Sequence, residues 1–336
     1  MRTPALQILT IFPEDSIQWR RGEEIIRRRL SDHELGFAYG VDSAGPFVAR
    51  AEVVLSFTFL DAYARAAKNL RWIQGFGSGI NRLIDMPSLD PAVIITNARG
   101  IHGPTVSEAA LAMMFALARD IPRMVRAQDR RQWDVFPSAL LYGKTLGVFG
   151  VGAIAEALAP KCHALGMRTV GISRRATAPG FDELYPRDRL REMVGRFDVF
   201  VLLAPLDETT CGAIDRAMLR AMKPTAMLIN VGRGGLVVES ELIAALREGA
   251  IGSAGLDTFE IEPLAPESAL WAMPNVLISP HNAGRHDGYV DDVLDIFEYN
   301  IACYCSGRTA EMRNLIDWRP PAARAAADHT GADQTR

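Results

Sequence analysis

Thr145-Leu146-Gly147-Val148-Phe149-Gly150-Val151-Gly152-Ala153-Ile154-Ala155 joins a short apolar run to a glycine turn. A helix-like segment, Glu156 to Leu165, follows and ends at Gly166; next come a β-like run, Met167 to Ile172, and Ser173-Arg174-Arg175. Strand, glycine turn, helix and strand in this order are the dinucleotide-binding fingerprint. Such a turn brings backbone N–H groups and a positive helix end against a pyrophosphate. Gly150, Gly152, Ala153 and Ile154 are therefore cofactor-binding candidates. The tip of the second strand reads the adenosine ribose. An acid there would accept from both ribose hydroxyls and repel a 2′-phosphate. Ser173 does neither, and Arg174 and Arg175 could pair with a dianionic phosphate. The reading is NADP(H) preferred, NAD(H) possible; its alternative makes the two arginines a solvated surface pair. Pro160 lies within the expected helix and should kink it, or else mark an error of register.

Around this core, 336 residues suggest two domains. A formal charge of −3 gives no reason to expect a nucleic-acid or membrane partner. Cys162, Cys211, Cys303 and Cys305 form no C-x-x-C pair, so reduced thiols in a cytoplasm are the simplest reading, and no metal site is expected. The start, Met1 to Ser16, has no signal-peptide pattern. The longest apolar run, Ala109 to Ala118, falls well short of the roughly 20 residues of a membrane span. It reads as a helix buried on all sides, at a core or a dimer interface.

Strands are expected at Leu6–Ile11, Leu35–Tyr39, Val53–Phe57, Trp72–Gly75 and Val93–Thr96, with helices at Ser16–Leu30, Asp61–Lys68 and Ile80–Ile84. That alternation argues a small α/β unit. Thr105-Val106-Ser107-Glu108 has capping-box spacing and should start the apolar helix, which gives Glu108 a structural role. After the fingerprint, strands at Val199–Leu203, Ala226–Val231, Ser253–Leu256 and Val276–Ile278 complete a doubly wound sheet. A helix over about Asp287–Ser306 returns to the first unit. The expected fold is α/β, with two Rossmann-like or flavodoxin-like lobes, doubly wound parallel sheets and a cleft between. Residues 1–102 and 283–318 form a substrate-binding, flavodoxin-like domain, 103–282 a dinucleotide-binding Rossmann domain, and 319–336 a disordered tail.

Three polar residues fall where strands of the second domain end: Arg233 in Asn230-Val231-Gly232-Arg233-Gly234-Gly235, Glu262 in Leu256 through Pro263, and His281 in Ile278 through Gly284. Ligands of open α/β sheets bind at the carboxyl ends of strands. An arginine clamps a carboxylate or carbonyl oxygen and stays charged. A histidine gives or takes a proton near neutral pH, and a carboxylate beside it favours the imidazolium. The set fits hydride reduction of a 2-keto acid, with His281 protonating the oxygen. Singly, each residue also has a bland reading: a loop ion pair, a turn residue, a structural histidine. His33, His102, His163 and His329 show no partner pattern and read as structural or exposed.

From about Val54 to Asp317 the sequence resembles the D-2-hydroxyacid dehydrogenase family. The motifs stand in family order: Gly75-Phe76-Gly77-Ser78-Gly79-Ile80-Asn81, Leu146 through Gly152, Ala204-Pro205-Leu206-Asp207-Glu208-Thr209-Thr210, Met227 through Leu236, Asp257 through Pro263, and Ser279-Pro280-His281. The resemblance implies that Arg233 binds the substrate carbonyl and carboxylate and that Glu262 and His281 are the acid–base pair. Backbone amides at Ser78 and Gly79 would hold the substrate carboxylate. Asp257, Val231 and Gly232 would lie by the nicotinamide, and Leu203, Ala204 and Pro205 on the adenine side. Asn81 replaces a frequent acid, and Arg285-His286 stand where a small or hydroxyl residue is more usual. Ser173-Arg174 is similar to the NADPH-preferring glyoxylate/hydroxypyruvate reductases of the family. The implied activity is reduction of a small 2-keto acid to the D-2-hydroxy acid in a cytoplasmic homodimer. The alternatives are a dehydrogenase of a bulkier acid such as 3-phosphoglycerate, or a nucleotide-sensing binding protein like the carboxy-terminal binding protein corepressors.

Overall fold

The computed structural model describes residues 4–13, 16–40, 43, 45–57, 59–79, 83 and 86–318. Asn81, all of the expected Ile80–Ile84 helix but Leu83, and the tail at 319–336 lie outside the described residues. The chain divides into two compact units, Met1–Ile101 with Asp287–Arg336, and His102–His286.

The first unit runs β1 (Gln7–Phe12), α1 (Ile17–Arg29), β2 (Glu34–Tyr39), β3 (Val53–Ser56), α2 (Asp61–Ala66), β4 (Trp72–Gly75) and β5 (Ile94–Thr96). Its parallel sheet has the order β2-β1-β3-β4-β5, the flavodoxin-like doubly wound arrangement. Phe12, Trp19, Trp72, Phe76 and Phe297 are buried, and the Phe57 and Phe76 rings stack at 4.5 Å. A buried polar chain crosses this core. Trp72 Nε1 donates to Thr96 Oγ1 at 2.8 Å, Thr96 donates to Gln74 Oε1 at 2.6 Å, and Asn300 Nδ2 donates to the same oxygen at 3.2 Å. The Trp72, Gln74, Thr96 and Asn300 side chains thus satisfy one another.

The second unit follows with α3 (His102–Ala118), α4 (Ile121–Asp129), β6 (Thr145–Phe149), α5 (Ala153–Ala164), β7 (Arg168–Ile172), β8 (Glu183–Tyr185), α6 (Leu190–Met193), β9 (Val199–Leu202), α7 (Arg216–Ala221), β10 (Met227–Asn230), α8 (Glu239–Glu248), β11 (Ser253–Leu256) and β12 (Val276–Ile278); α9 (Tyr289–Cys305) belongs to the first unit. The seven parallel strands take the order β12-β11-β10-β9-β6-β7-β8. The order reverses at β6, whose neighbours are β7 and β9, so the ends of β6 and β9 form the switch point where such sheets bind ligands.

Two local expectations change. Helix α3 begins at His102, not at Thr105. Pro104 falls in its first turn, where the missing N–H is not needed. Glu108 is no cap; it is an exposed partner of Lys161 at 3.5 Å. Pro160 lies inside α5, and the helix runs on to Ala164. No helix among the described residues is long and apolar enough to cross a membrane.

Candidate active site

The turn after β6 is shaped for a charged guest. Gly150 has φ +97°, and a Cβ on it would lie 2.4 Å from Ala204 N, so only glycine lets the turn meet the loop after β9. Gly152 stands before α5 in extended conformation, and no side chain caps the helix. The leading N–H groups of α5 therefore have no side-chain acceptor. Gly152 and Ala153 are exposed, Ile154 half-buried, and Ala155 fully buried against the sheet. An uncapped, glycine-built helix start fits a pyrophosphate.

Around this turn, Ser173 is 8% exposed and its Oγ accepts from Arg175 N at 3.1 Å, closing the tip of β7. Arg174 and Arg175 are exposed. Ala204 is buried and Pro205 exposed, in a loop made rigid by Thr210, whose hydroxyl donates to Pro205 O at 2.7 Å and accepts from Asp207 N at 2.8 Å. The Thr209 hydroxyl and amide both bond Asp207 and hold its carboxyl below the ordinary range. Arg187 escaped the sequence reading. Its Nη1 lies 3.2 Å from Thr209 Oγ1 and its guanidinium carbon 5.8 Å from the Phe149 ring centre, so it lines the same strand ends. An arginine one strand removed from the fingerprint carries no local signal of this.

Arg233, Glu262 and His281 follow the adjacent strands β10, β11 and β12. His281 Nδ1 and Glu262 Oε2 are 2.7 Å apart. The other carboxylate oxygen of Glu262 accepts from Phe259 N at 3.1 Å. The Arg233 guanidinium is half-buried and bonds Gly232 O at 2.8 Å; no bond from it to Glu262 or His281 is present among the described residues. Its loop nevertheless abuts the Glu262 loop. A Cβ on Gly234 would stand 1.9 Å from Phe259 O, so the two backbones touch there. Asn230, 1% exposed, braces the turn from inside by donating to Arg233 O at 3.0 Å and accepting from Gly232 N at 3.2 Å. Val231 and Gly232 are buried in that turn.

His281 has φ +54°, an unusual backbone for a non-glycine residue. Asp257, 1% exposed, holds it there. The Asp257 carboxylate accepts from the Ser279 hydroxyl and from the amides of Asn282 at 2.8 Å and Ala283 at 3.0 Å, while its carbonyl accepts from His281 N at 2.9 Å. Asp257 is thus engaged with the His281 loop. In the first unit, Ser78 and Gly79 are exposed in the turn after β4, where buried Asn97 donates to Ser78 O at 2.9 Å. Among the described residues no group of three or more His, Cys, Asp or Glu side chains could hold a metal ion. His33 is structural. It accepts from Leu6 N at 3.2 Å, and burial lowers its pKa.

The chemistry of this arrangement is a histidine with one ring nitrogen fixed by a carboxylate, an arginine on the neighbouring loop, and a dinucleotide cradle in one sheet. Comparison with known proteins identifies the family. Residues 111–283 match the D-isomer specific 2-hydroxyacid dehydrogenase, NAD binding domain. A glyoxylate reductase of Korarchaeum cryptofilum is 34% identical over 269 residues, 76% of this chain and 80% of that protein. A D-isomer specific 2-hydroxyacid dehydrogenase family protein of Aeromonas salmonicida superposes with a TM-score of 0.81 at 31% identity, covering 94% of this chain and all of that one. The Xanthobacter autotrophicus dehydrogenase solved with NADPH and MES gives a TM-score of 0.77 at 27% identity, covering 93% and 98%. The chain also matches D-3-phosphoglycerate dehydrogenases, but spans only 42% and 45% of their length. The chain belongs to the D-isomer specific 2-hydroxyacid dehydrogenases, nicotinamide-dependent oxidoreductases of small 2-hydroxy and 2-keto acids.

Proposed function

We propose that this protein reduces a small 2-keto acid of the glyoxylate or hydroxypyruvate kind to the D-2-hydroxy acid, with NADP(H) preferred over NAD(H). The observation that carries the reading is the 2.7 Å pair of His281 Nδ1 and Glu262. An ionised carboxylate only accepts, so Nδ1 keeps its proton and Nε2 is left to face substrate. The bound reduced nicotinamide would supply the hydride. His281 gives the Nε2 proton to the carbonyl oxygen as negative charge builds on it, and recovers a proton in the reverse direction. Glu262 balances the imidazolium. Arg233 is assigned to the substrate's carboxylate and carbonyl oxygens, which its planar fork matches. Ser78 and Gly79 are assigned as carboxylate-binding amides within the substrate domain, 1–102 and 283–318. Val231, Gly232, Ala204 and Pro205 are assigned to the cofactor.

The substrate class is supported by the glyoxylate reductase relative, and the cofactor by the Ser173-Arg174-Arg175 tip. A bulkier acid is the second reading, supported by the phosphoglycerate dehydrogenase matches. The free cysteines suit a reducing cytoplasm. A homodimer is the proposed assembly.

Steady-state assays of NADPH and NADH against a panel of 2-keto acids, phosphohydroxypyruvate included, test the reading. Glyoxylate or hydroxypyruvate with NADPH should give the highest kcat/KM. His281→Asn should abolish keto-acid-dependent NADPH oxidation and leave NADPH affinity nearly unchanged. Full turnover in that variant would refute the mechanism.

A further inference from the structure

The sequence offers Arg174 and Arg175 as two equal partners for a 2′-phosphate, but the structure makes them unequal. Arg175 Nη1 lies 2.6 Å from Glu156 Oε1, and the two side chains are 48% and 31% exposed. Arg174 makes no ion pair or side-chain hydrogen bond among the described residues. Glu156 stands in the first turn of α5, the helix whose amino end is uncapped. Helical side chains lean toward the amino end, which carries the Glu156 carboxylate back to the tip of the neighbouring strand β7. The bond from Arg175 N to Ser173 Oγ fixes the turn that presents Arg175 to it.

From this geometry we infer that Glu156 is a specificity-determining residue, which weakens recognition of a 2′-phosphate by holding Arg175 and placing a carboxylate beside it. The inference rests on the reading of Ser173–Arg175 as the ribose end of the cofactor site. The three charged groups there sum to one positive charge rather than two. A phosphate at Arg175 must share the guanidinium with Glu156 or displace it. In either case it meets a fixed like charge. An enzyme that must still bind NAD(H) would be tuned in this way: Arg174 attracts the phosphate and Glu156 limits the gain.

The test is direct binding of NADPH and NADH, followed by nicotinamide fluorescence, in the wild type, Glu156→Gln, Arg175→Gln and the double variant. The two nucleotides differ only in the 2′-phosphate. Glu156→Gln should tighten NADPH by about two- to fivefold, the scale of one partly exposed ion pair, with NADH nearly unchanged. In the Arg175→Gln background the same substitution should give less than about half of that gain. The NADPH to NADH ratio of kcat/KM should rise as the NADPH dissociation constant falls. Unchanged or weaker NADPH binding in Glu156→Gln overturns the inference, and so does an equal gain without Arg175. The outcomes separate it from the proposed cofactor preference. A wild type that binds NADH more tightly refutes that preference, yet a selective gain in Glu156→Gln still supports the role of Glu156. A wild type that prefers NADPH, with no response to Glu156→Gln, refutes the role of Glu156 alone.

Discussion

Asp257 shows how one buried side chain sets the geometry of a loop that carries chemistry. Its carboxylate is the common acceptor for the Ser279 hydroxyl and the Asn282 and Ala283 amides, all within five residues of one another and around His281. All three groups are donors, so the site requires an acceptor-only side chain. Asp257→Asn keeps the shape but turns one acceptor into an NH2 group that must face N–H donors. Leaving such buried groups unpaired costs about 1–3 kcal/mol. The left-handed backbone of His281 would then lose its support, and a displacement near 1 Å at a reacting group costs on the order of 100-fold in rate. We expect Asp257→Asn to lower kcat/KM by about that factor and to lower the unfolding free energy by the amount above. Kinetics and urea melts measure both, and wild-type kcat/KM would show that the loop holds its form without the clasp. The candidate residues themselves were legible in the sequence, because polar side chains just past apolar strands point to a strand-end site. The pairing of His281 with Glu262 came from the family resemblance; what no local pattern encodes is the support for its 2.7 Å geometry, the Asp257 clasp and the left-handed backbone of His281.

At the scale of elements, β6-turn-α5-β7 was readable because apolar runs, glycine and helix follow at short range. Strand β8 was not. Glu183-Leu184-Tyr185 has no apolar run, and its place at the sheet edge depends on distant partners. The Tyr185 hydroxyl, Arg196 at 3.0 Å and Arg168 all bond the Glu183 carboxylate. That hydroxyl bond first, and then the two guanidinium groups, hold its pKa at about 2 against an ordinary 4.5. The folded value is depressed, so ionised Glu183 stabilises the fold fully above pH 4.5, and that stabilisation is lost as the pH falls toward about 2. Glu183→Gln should therefore be less stable than wild type at pH 7, by about 1 kcal/mol for a partly exposed network. The gap should close as the pH falls through 4 toward 2. Urea melts at pH 7 and near pH 3 measure it; a gap of equal size at both would remove the carboxylate from the account. Helix α4 escaped for a related reason. Its residues, Ile121 to Asp129, alternate arginine with apolar side chains, and none of them is buried.

For the whole molecule, the longest apolar run proved a poor guide to the exposed apolar surface. Much of 109–118 is core: Ala110, Met113, Met114 and Ala118 are buried, and Met113 packs on Gly255 of β11. The apolar surface lies just beyond, where Val125 is 51%, Leu140 61%, Tyr142 76%, Val135 82% and Trp133 96% exposed. The composition of this stretch reads as loop, and only the structure shows that these side chains lack a cover within the chain. Single exposed apolar residues are ordinary, but five of them within one short stretch of chain make it a candidate interaction surface. The proposed homodimer gives it an occupant, the same segment of a second copy, and aromatic anchors such as Trp133 would carry most of the binding energy. Light scattering behind size exclusion should then give twice the chain mass at micromolar concentration. Trp133→Ser with Val135→Ser should shift the protein toward monomer, with its circular dichroism unchanged, because neither side chain contributes to the buried core. A wild type that remains monomeric, or a double variant that dimerises as tightly as the wild type, would leave this surface without the partner assigned to it.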